Sequence, residues 1–293
     1  IRSTNNNNNN NNVSNEEMMK RMLSLSEEEQ SDSSWYGITL DGSLLRTPLG
    51  HLTVSVPSFP LACAIAAEWN DQTTTIQPAQ MPLMTLCCTA LDQAALHPDL
   101  LVENCLRYLR NDTTCYLADP TEDRVLHRKQ TKYWSPVHQW INALVKNNND
   151  NDNGAALAVA TGADMGLIMS RARSKSKGLP HSEHLVQHIE EWCQNLDAWS
   201  LTALQAVTME AKSFAVGMAV VEGSSSSSGK VPFQNNTKTA VHSCRVEEEF
   251  QIESWGLVEG GHDYDRLNCS IQVHAATILV QAIAAVQKQP TKN

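Results

Sequence analysis

The hydrophobic and polar positions of the chain predict short strands in residues 35–56 and helices after about residue 57. In the segment WYGITLDGSLLRTPLGHLTVSV, Ile38 and Leu40 alternate with polar residues, which is typical of a half-buried strand. The pair Asp41-Gly42 predicts a hairpin turn, because glycine readily adopts the positive φ that such a turn requires. The first ordered region is therefore predicted to contain a small amount of β structure.

The remainder of the chain shows apolar residues at helical spacing. Ser58 is expected to cap the first helix, in which Leu61, Ile65 and Trp69 lie on one face. The other predicted helices are 81–96, 98–112, 133–147 with Pro136 in its first turn, 182–195, 198–221, 237–255 and 263–288. Most of the chain after the strands is thus predicted to be helical.

These patterns together predict an α+β fold with a small β-containing N-terminal domain and a larger, mainly helical C-terminal domain. Residues 1–34 are predicted to be disordered, because an asparagine run and acidic and serine-rich segments bury too little apolar surface to offset ordering. The N-terminal domain is predicted to occupy 35–125 and the helical domain 126–293. Low-complexity inserts are expected at 147–154 and 223–230 within the second domain.

Composition narrows the classes of protein to which the chain can belong. Hydrophobic residues make up 41% and aromatic residues only 5%, which favours helical packing rich in alanine and leucine. The formal net charge of −10 disfavours binding to nucleic acid, and no uninterrupted run of apolar residues is long enough to predict a membrane span. The eight cysteines include no CxxC pair and indicate core residues in a reducing compartment. The chain begins at Ile1, which leaves room for a start codon and a transit peptide upstream.

Two motifs resemble known ligand sites but lack an essential feature of each. In GSSSSSGKV, five residues separate Gly223 from Gly229 and a valine follows the lysine, so a phosphate-binding loop is not predicted. His184 and His188 lie one helical turn apart, but Leu185 stands where a zinc protease has its glutamate. The sequence therefore predicts no metal site and no cofactor.

An acidic stretch close to the C-terminus, WGLVEGGHDYDR, separates two predicted helices. Trp255 is expected to anchor the end of the preceding helix in the core, and Gly256 to end that helix. Glu259 lies between two glycine-containing pairs, where the chain can turn and expose it. Asp263 could cap the next helix, and Glu253 belongs to the acidic face of the preceding one. A helix connection does not by itself require so many charged side chains.

Seven short segments resemble, in order, one known family. They are LDGSLLRTPLG, VPS with AIAAEWN, MPLMTLCCTALD, DTTCYLADP, YWSPVHQW and EEEFQIESWGLVEGGHDYDR. In this order they resemble the mitochondrial ATP synthase F₁ complex assembly factor 2 family, whose members escort the F₁ α subunit. The similarity extends from about residue 36 to residue 285, and the asparagine-rich and serine-rich segments depart from it.

The resemblance implies a chaperone of the mitochondrial matrix rather than an enzyme. Members of the family bind the free F₁ α subunit before it pairs with β, and a monomer without a membrane span or nucleic-acid partner is expected. Glu259 matches best the family's functionally important acid after the Trp-Gly pair, and Asp263 is the next candidate. Glu253 is the third residue expected to bind the partner. Trp69, Trp255 and Gly256 are expected to be structural.

Two other classes of function remain open at this point. A soluble carboxylate-based hydrolase would use Glu68, Asp71 or the acids near 259–265, and it predicts a deep pocket in which acids converge. A structural scaffold would stay in the finished complex. A chaperone instead predicts a broad exposed surface without such a pocket.

Overall fold

A computed structural model describes residues 35–146, 157–162, 178–226 and 230–288. The predictions of disorder in 1–34 and of an insert at 147–154 lie outside the described residues, as does the middle of the serine-rich segment. In the described residues the fold is α+β with its few strands near the N-terminus, and this fold class is confirmed.

The N-terminal strands are very short and pair as two antiparallel ladders. They are β1 (Tyr36–Gly37), β2 (Thr39–Leu40), β3 (Ser43–Leu44) and β4 (Ser55–Val56), with β1 paired to β4 and β2 to β3. Asp41 and Gly42 form the predicted hairpin turn, with φ angles of 49° and 81°. A carboxylate ties this region to the helices, because Asp92 accepts hydrogen bonds from the amides of Leu49 and Gly50 at 3.1 and 3.0 Å.

Three helices follow the strands and one long helix closes the first half of the chain. They are α1 (Phe59–Asn70), α2 (Pro82–Thr89), α3 (Pro98–Arg110) and α4 (Arg124–Lys146). A π-helical turn, Ala90–Ala94, extends α2, and the short strands β5 (Tyr116–Leu117) and β6 (Ala160–Thr161) pair in parallel. Ser58 precedes α1 but its side chain makes no capping hydrogen bond, so the prediction of a serine cap is wrong. Pro136 lies inside α4 rather than in a first turn.

Six helices are present in the described residues of the second half. They are α5 (Glu183–Gln194), α6 (Ala198–Ala211), α7 (Phe214–Ser225), α8 (Thr237–Cys244), α9 (Val246–Trp255) and α10 (His262–Gln287). Helix α6 is buried on nearly all sides, as expected of a central helix, and packs against α3, α7 and α10. One cluster of buried residues extends from Ile38 to Ile283, and the division at 125 stays a prediction.

Two predicted long helices are each interrupted. Lys212 adopts a left-handed φ of 50°, and the Ser213 hydroxyl accepts a hydrogen bond from the Val216 amide, which starts α7 as a separate helix. Arg245, which has a φ of −125°, likewise separates α8 from α9. Continuous helices over 198–221 and 237–255 are therefore wrong predictions. In both cases the backbone angles of a few residues interrupt the helix, although the apolar pattern of the sequence continues.

Helix α10 is long and apolar enough to cross a membrane when only its length and composition are considered. Its mean hydropathy is 1.6 over the most apolar window, and 50% of that window is buried inside the fold. The buried side packs against α6, as in the core helix of a soluble protein. The expectation of no membrane span stays a prediction.

Trp69 lies on α1 and is only partly buried, although it packs against the hydrophobic core. Its indole Nε1 is buried without a hydrogen-bond partner among the described residues. A Trp69→Ala variant is therefore expected to lose about 2 kcal/mol of unfolding free energy, less than the ~3–5 kcal/mol typical of a fully buried ring. Thermal and urea unfolding measure this loss, and an unchanged melting temperature would contradict the structural role. Trp69→Phe, which removes the unpaired N–H, should lose less than half as much.

Candidate functional site

The chain turns sharply between α9 and α10, and this turn forms the corner, defined here as residues 255–267. Helix α9 ends at Trp255, and the amide of Gly256 donates a hydrogen bond to the Ile252 carbonyl at 2.9 Å. Gly256 has a φ of 93°, a conformation that residues with a side chain rarely adopt. The prediction that Gly256 ends the helix thus has a conformational basis.

Hydrogen bonds around Val258 close the corner. The amides of Gly261 and His262 both donate to the Val258 carbonyl, at 3.2 and 3.0 Å, and the Val258 amide donates to His262 Nδ1 at 3.1 Å. Gly260 supplies a second positive φ of 74° within the same turn. Because these bonds satisfy backbone groups on both sides, the loop has a defined shape and presents Glu259 at its tip.

An ion pair joins the two helices that flank the corner. Arg266 Nε donates to Glu249 Oε1 at 2.8 Å, and Arg266 Nη2 contacts Glu249 Oε2 as well. Glu249 also pairs with the nearly buried Arg245, whose Nε lies 3.4 Å away. The Arg266 guanidinium holds the pKa of the Glu249 carboxyl below its ordinary value. Such a two-point pair is specific in orientation as well as distance, and it joins α9 to α10 across the corner.

Helix α4 supports the other side of α9. Lys129 forms an ion pair with Glu253, and Gln130 Nε2 donates to Glu247 Oε1 at 2.8 Å. Burial raises the pKa of the Glu247 carboxyl, and the hydrogen bond from Gln130 partly opposes that effect. Glu253 was predicted to bind the partner, but its carboxylate forms an ion pair with Lys129 of the same chain. It remains partly exposed, at 62% of its side-chain surface.

Large apolar side chains are exposed around the corner. Trp255 is 80% exposed, which contradicts its predicted position in the core. The reason is geometric: Val246, at the start of α9, is the one buried residue of this helix, and the last turn of α9 projects beyond the packed helices. The other exposed apolar side chains are Leu257 at 43%, Val258 at 61%, Tyr264 at 68% and Leu267 at 58%. These five residues are called the corner surface below, and such apolar clusters mark interaction sites.

Three acids accompany the corner surface. Glu259, Asp263 and Asp265 are exposed, and their carboxylates make no ion pair or hydrogen bond among the described residues. Asp263 and Asp265 lie in the first turn of α10, where acids are favourable because of the helix dipole. Gly261 occupies the capping position, so Asp263 does not cap α10 as one alternative predicted. All three acids are available to a partner.

The acids proposed for a hydrolase do not converge in the described part of the chain. Glu68 accepts hydrogen bonds from the amides of Leu83 and Met84, both at 2.8 Å, and so caps the N-terminus of α2. Burial raises the pKa of the Glu68 carboxyl, which these amides partly offset. A cleft of about 750 Å³ is lined by residues of α3, α5 and α6, including Asp99, and by residues just before α3, including His97, but by none of the acids near 259–265.

Metal binding has no support from the described residues, in which no group of three or more His, Cys, Asp or Glu side chains is placed to hold an ion. Sequence reasoning found the acids of the corner but missed its apolar residues and the Glu249–Arg266 pair. The sequence does contain a signal for the exposed apolar residues: no Lys, Arg, Asp or Glu occurs between Arg266 and Lys288, although α10 belongs to an acidic protein.

Comparison with known proteins agrees with the resemblance seen in the sequence. The family model described as ATP12 chaperone protein matches residues 21–142. Protein ATP12, mitochondrial, of Saccharomyces cerevisiae is 23% identical over 260 residues, covering 82% of this chain and 77% of the yeast protein. Protein atp12, mitochondrial, of Schizosaccharomyces pombe is 26% identical over 256 residues, covering 84% of this chain and 77% of its own length.

A solved structure supports the same fold. The crystal structure of Atp12 from Paracoccus denitrificans superposes with a TM-score of 0.65 at 23% identity, and the match covers 85% of this chain and 95% of that one. A mutant of the same bacterial protein gives the same TM-score. The family model, both yeast relatives and the solved structure thus agree that this chain is similar to ATP12 chaperone proteins.

Proposed function

We propose that this protein is a molecular chaperone for assembly of the mitochondrial ATP synthase. It binds the free F₁ α subunit in the matrix, as a monomer, and shields the surface of α that faces β until β displaces it. The observation that supports this function is the corner surface, in which exposed apolar side chains lie beside acids that have no partner in the described residues. The family's name adds the general role of a chaperone.

The corner surface has the composition of a protein interface. Aromatic and aliphatic side chains, among them Trp255 and Tyr264, supply the apolar area, and Glu259 and Asp263 lie beside it. Interfaces of this type derive most of their affinity from a few desolvated anchors, while the charges at the rim select the partner. A surface patch also suits a chaperone because a larger, better-matched partner surface displaces it without nucleotide hydrolysis.

Affinity capture from matrix extract tests the proposal directly. The tagged protein is expected to retain α subunit that is free of β, and added β is expected to release it. Retention of α and β in equal amounts, or capture of mature ATP synthase, would support a scaffold instead.

A Glu259→Lys variant addresses the acidic part of the surface. It is expected to fold normally and to lose most of its captured α subunit, because removing one partner of a desolvated ion pair costs about 2–5 kcal/mol. Glu190→Lys makes the same charge change at an exposed position of α5, which contributes nothing to the corner, and should capture α normally. Equal capture by both variants would remove Glu259 from the interface.

A further inference from the structure

Helix α10 carries a mostly apolar stripe, interrupted by one histidine, that continues from the corner along its outer side. Tyr264, Leu267, Ile271, His274 and Ile278 follow one another at alternating steps of three and four residues. Tyr264 is 68% exposed, Leu267 58% and Ile278 45%, while Ile271 is partly buried and His274 exposed. These five residues are called the outer stripe. Their spacing is that of a helix seam that packs against a second helix.

The outer stripe is unusual for a surface that faces water. No lysine, arginine, aspartate or glutamate occurs between Arg266 and Lys288 on any side of α10. The opposite side needs no charge because it is core, with Val273, Leu279 and Ile283 fully or almost fully buried. A solvated helix face ordinarily carries charged residues, so an uncharged outer face indicates that another molecule covers it.

We propose that the outer stripe binds one amphipathic helix of the client polypeptide, antiparallel to α10, with a basic last turn against Glu259 and Asp263. The apolar seam selects a helix, because residues at this spacing interlock with the matching seam of a second helix. The acids lie at the N-terminal end of α10, so an antiparallel helix brings its C-terminal turn to them. Lysine and arginine are most favourable in that last turn, where they also complement the helix dipole.

A client helix fits the charge pattern better than the other possible occupants. A second copy of this chain would offer its own α10, whose C-terminal end carries the single cation Lys288, and the Lys288 Nζ already donates to the Ser225 carbonyl at 2.6 Å. A membrane would meet the same acids and a protein of net charge −10, which anionic lipid headgroups repel. From Tyr264 to Ile278 the stripe spans about 20 Å at 1.5 Å per residue, so a client helix of four to five turns covers it with its basic turn beyond.

This inference rests on the proposed function for the identity of the client, but its test uses a defined probe. The probe is a fluorescein-labelled helical peptide of about 20 residues with leucines at heptad spacing and lysines in its last turn. Two matched peptides carry the lysines in the first turn or glutamates in the last turn. Fluorescence anisotropy measures the affinity of each for the full chain.

The peptide with lysines in its last turn is expected to bind at least tenfold more tightly than either matched peptide. Ile278→Glu, and independently Leu267→Glu, should weaken this binding at least tenfold, with unfolding curves recorded to verify that both variants fold. Leu100→Glu on α3, at a position that is also 58% exposed, serves as the control and should bind like the parent. In a Glu259→Lys, Asp263→Lys chain the preference should reverse toward the glutamate-ended peptide. Equal binding of all three peptides, or no effect of both stripe variants, would overturn the proposal.

Three further measurements test whether the stripe has a different occupant. A concentration-dependent dimer that Ile278→Glu dissociates would assign the stripe to a second copy and overturn the proposal. Flotation with phosphatidylcholine–cardiolipin vesicles that depends on Ile278 would assign it to a membrane, with the same consequence. Peptide binding that appears only after removal of residues 1–34 would assign the stripe to the chain's own N-terminal segment and would likewise overturn the proposal.

Failure of this inference is distinguishable from failure of the proposed function. Capture of free α subunit that persists in both stripe variants leaves the function standing and overturns the outer stripe as the client's site. Orientation-selective binding of the peptide by a chain that captures no α subunit would instead keep the stripe as a helix-binding site and reject α as its client.

Discussion

A Trp255→Ala variant is expected to fold like the parent and to bind the free α subunit at least 30-fold more weakly. The indole ring is 80% exposed at the end of α9, so its removal leaves no cavity and should change the unfolding free energy by less than about 0.5 kcal/mol. Its expected contribution lies entirely in the interface. Truncation of a central aromatic anchor typically costs about 2–4 kcal/mol of binding free energy, and 2 kcal/mol corresponds to about 30-fold.

The measurement is a titration of isolated α subunit by calorimetry or biolayer interferometry, together with thermal unfolding of each variant. Ile76→Ala provides a matched control, because Ile76 is 59% exposed and lies outside the corner. Both variants should melt like the parent, and only Trp255→Ala should lose affinity. A Trp255→Ala chain that binds α like the parent would exclude the corner surface as the centre of the interface. Combination with Glu259→Lys should produce less than the sum of the two losses if both residues contact one site.

Much of the fold follows from local sequence patterns. The hairpin at Asp41-Gly42 needs only a residue pair that tolerates positive φ, and the helices need only apolar residues at regular spacing. The interruptions at Lys212 and Arg245 were missed because their signals are weak. Neither residue type is a helix breaker, and α7 begins where Ser213 and a distant carboxylate, Asp112, satisfy its first amides. That carboxylate comes from another part of the chain and cannot be placed from local pattern.

The candidate site shows the same division between local and long-range information. The glycines and acids near Glu259 predict an exposed turn, and the structure has one there. The burial of Trp255 was predicted because Val246, Phe250 and Trp255 can form the apolar side of one helix at roughly helical spacing. Whether the last turn of α9 meets other helices depends on how α9 and α10 cross, and the Glu249–Arg266 pair is a contact between these two helices. Such a contact joins residues 17 positions apart on separate helices, and an alternation pattern does not encode it.

The second large effect is expected at Asp112, which is fully buried. Its Oδ1 accepts hydrogen bonds from the Thr114 amide at 2.9 Å and the Thr114 hydroxyl at 2.7 Å, and its Oδ2 accepts one from the Ala215 amide at 2.9 Å. One side chain thus holds the turn after α3 and the N-terminus of α7 together. Burial raises the pKa of this carboxyl, and the hydrogen bonds it accepts oppose that effect.

An Asp112→Ala variant should lose about 3–5 kcal/mol of unfolding free energy, because it leaves buried donors on Thr114 and Ala215 without acceptors. Urea denaturation followed by tryptophan fluorescence measures this loss. Asp112→Asn is the matched control: it keeps one acceptor oxygen in the same place and should lose about half as much. A loss below 1 kcal/mol for the alanine variant would show that water or a shift of α7 satisfies these donors. Because Asp112 lies outside the corner, the folded alanine variant at low temperature should still capture α subunit, the reverse of the behaviour expected of Trp255→Ala.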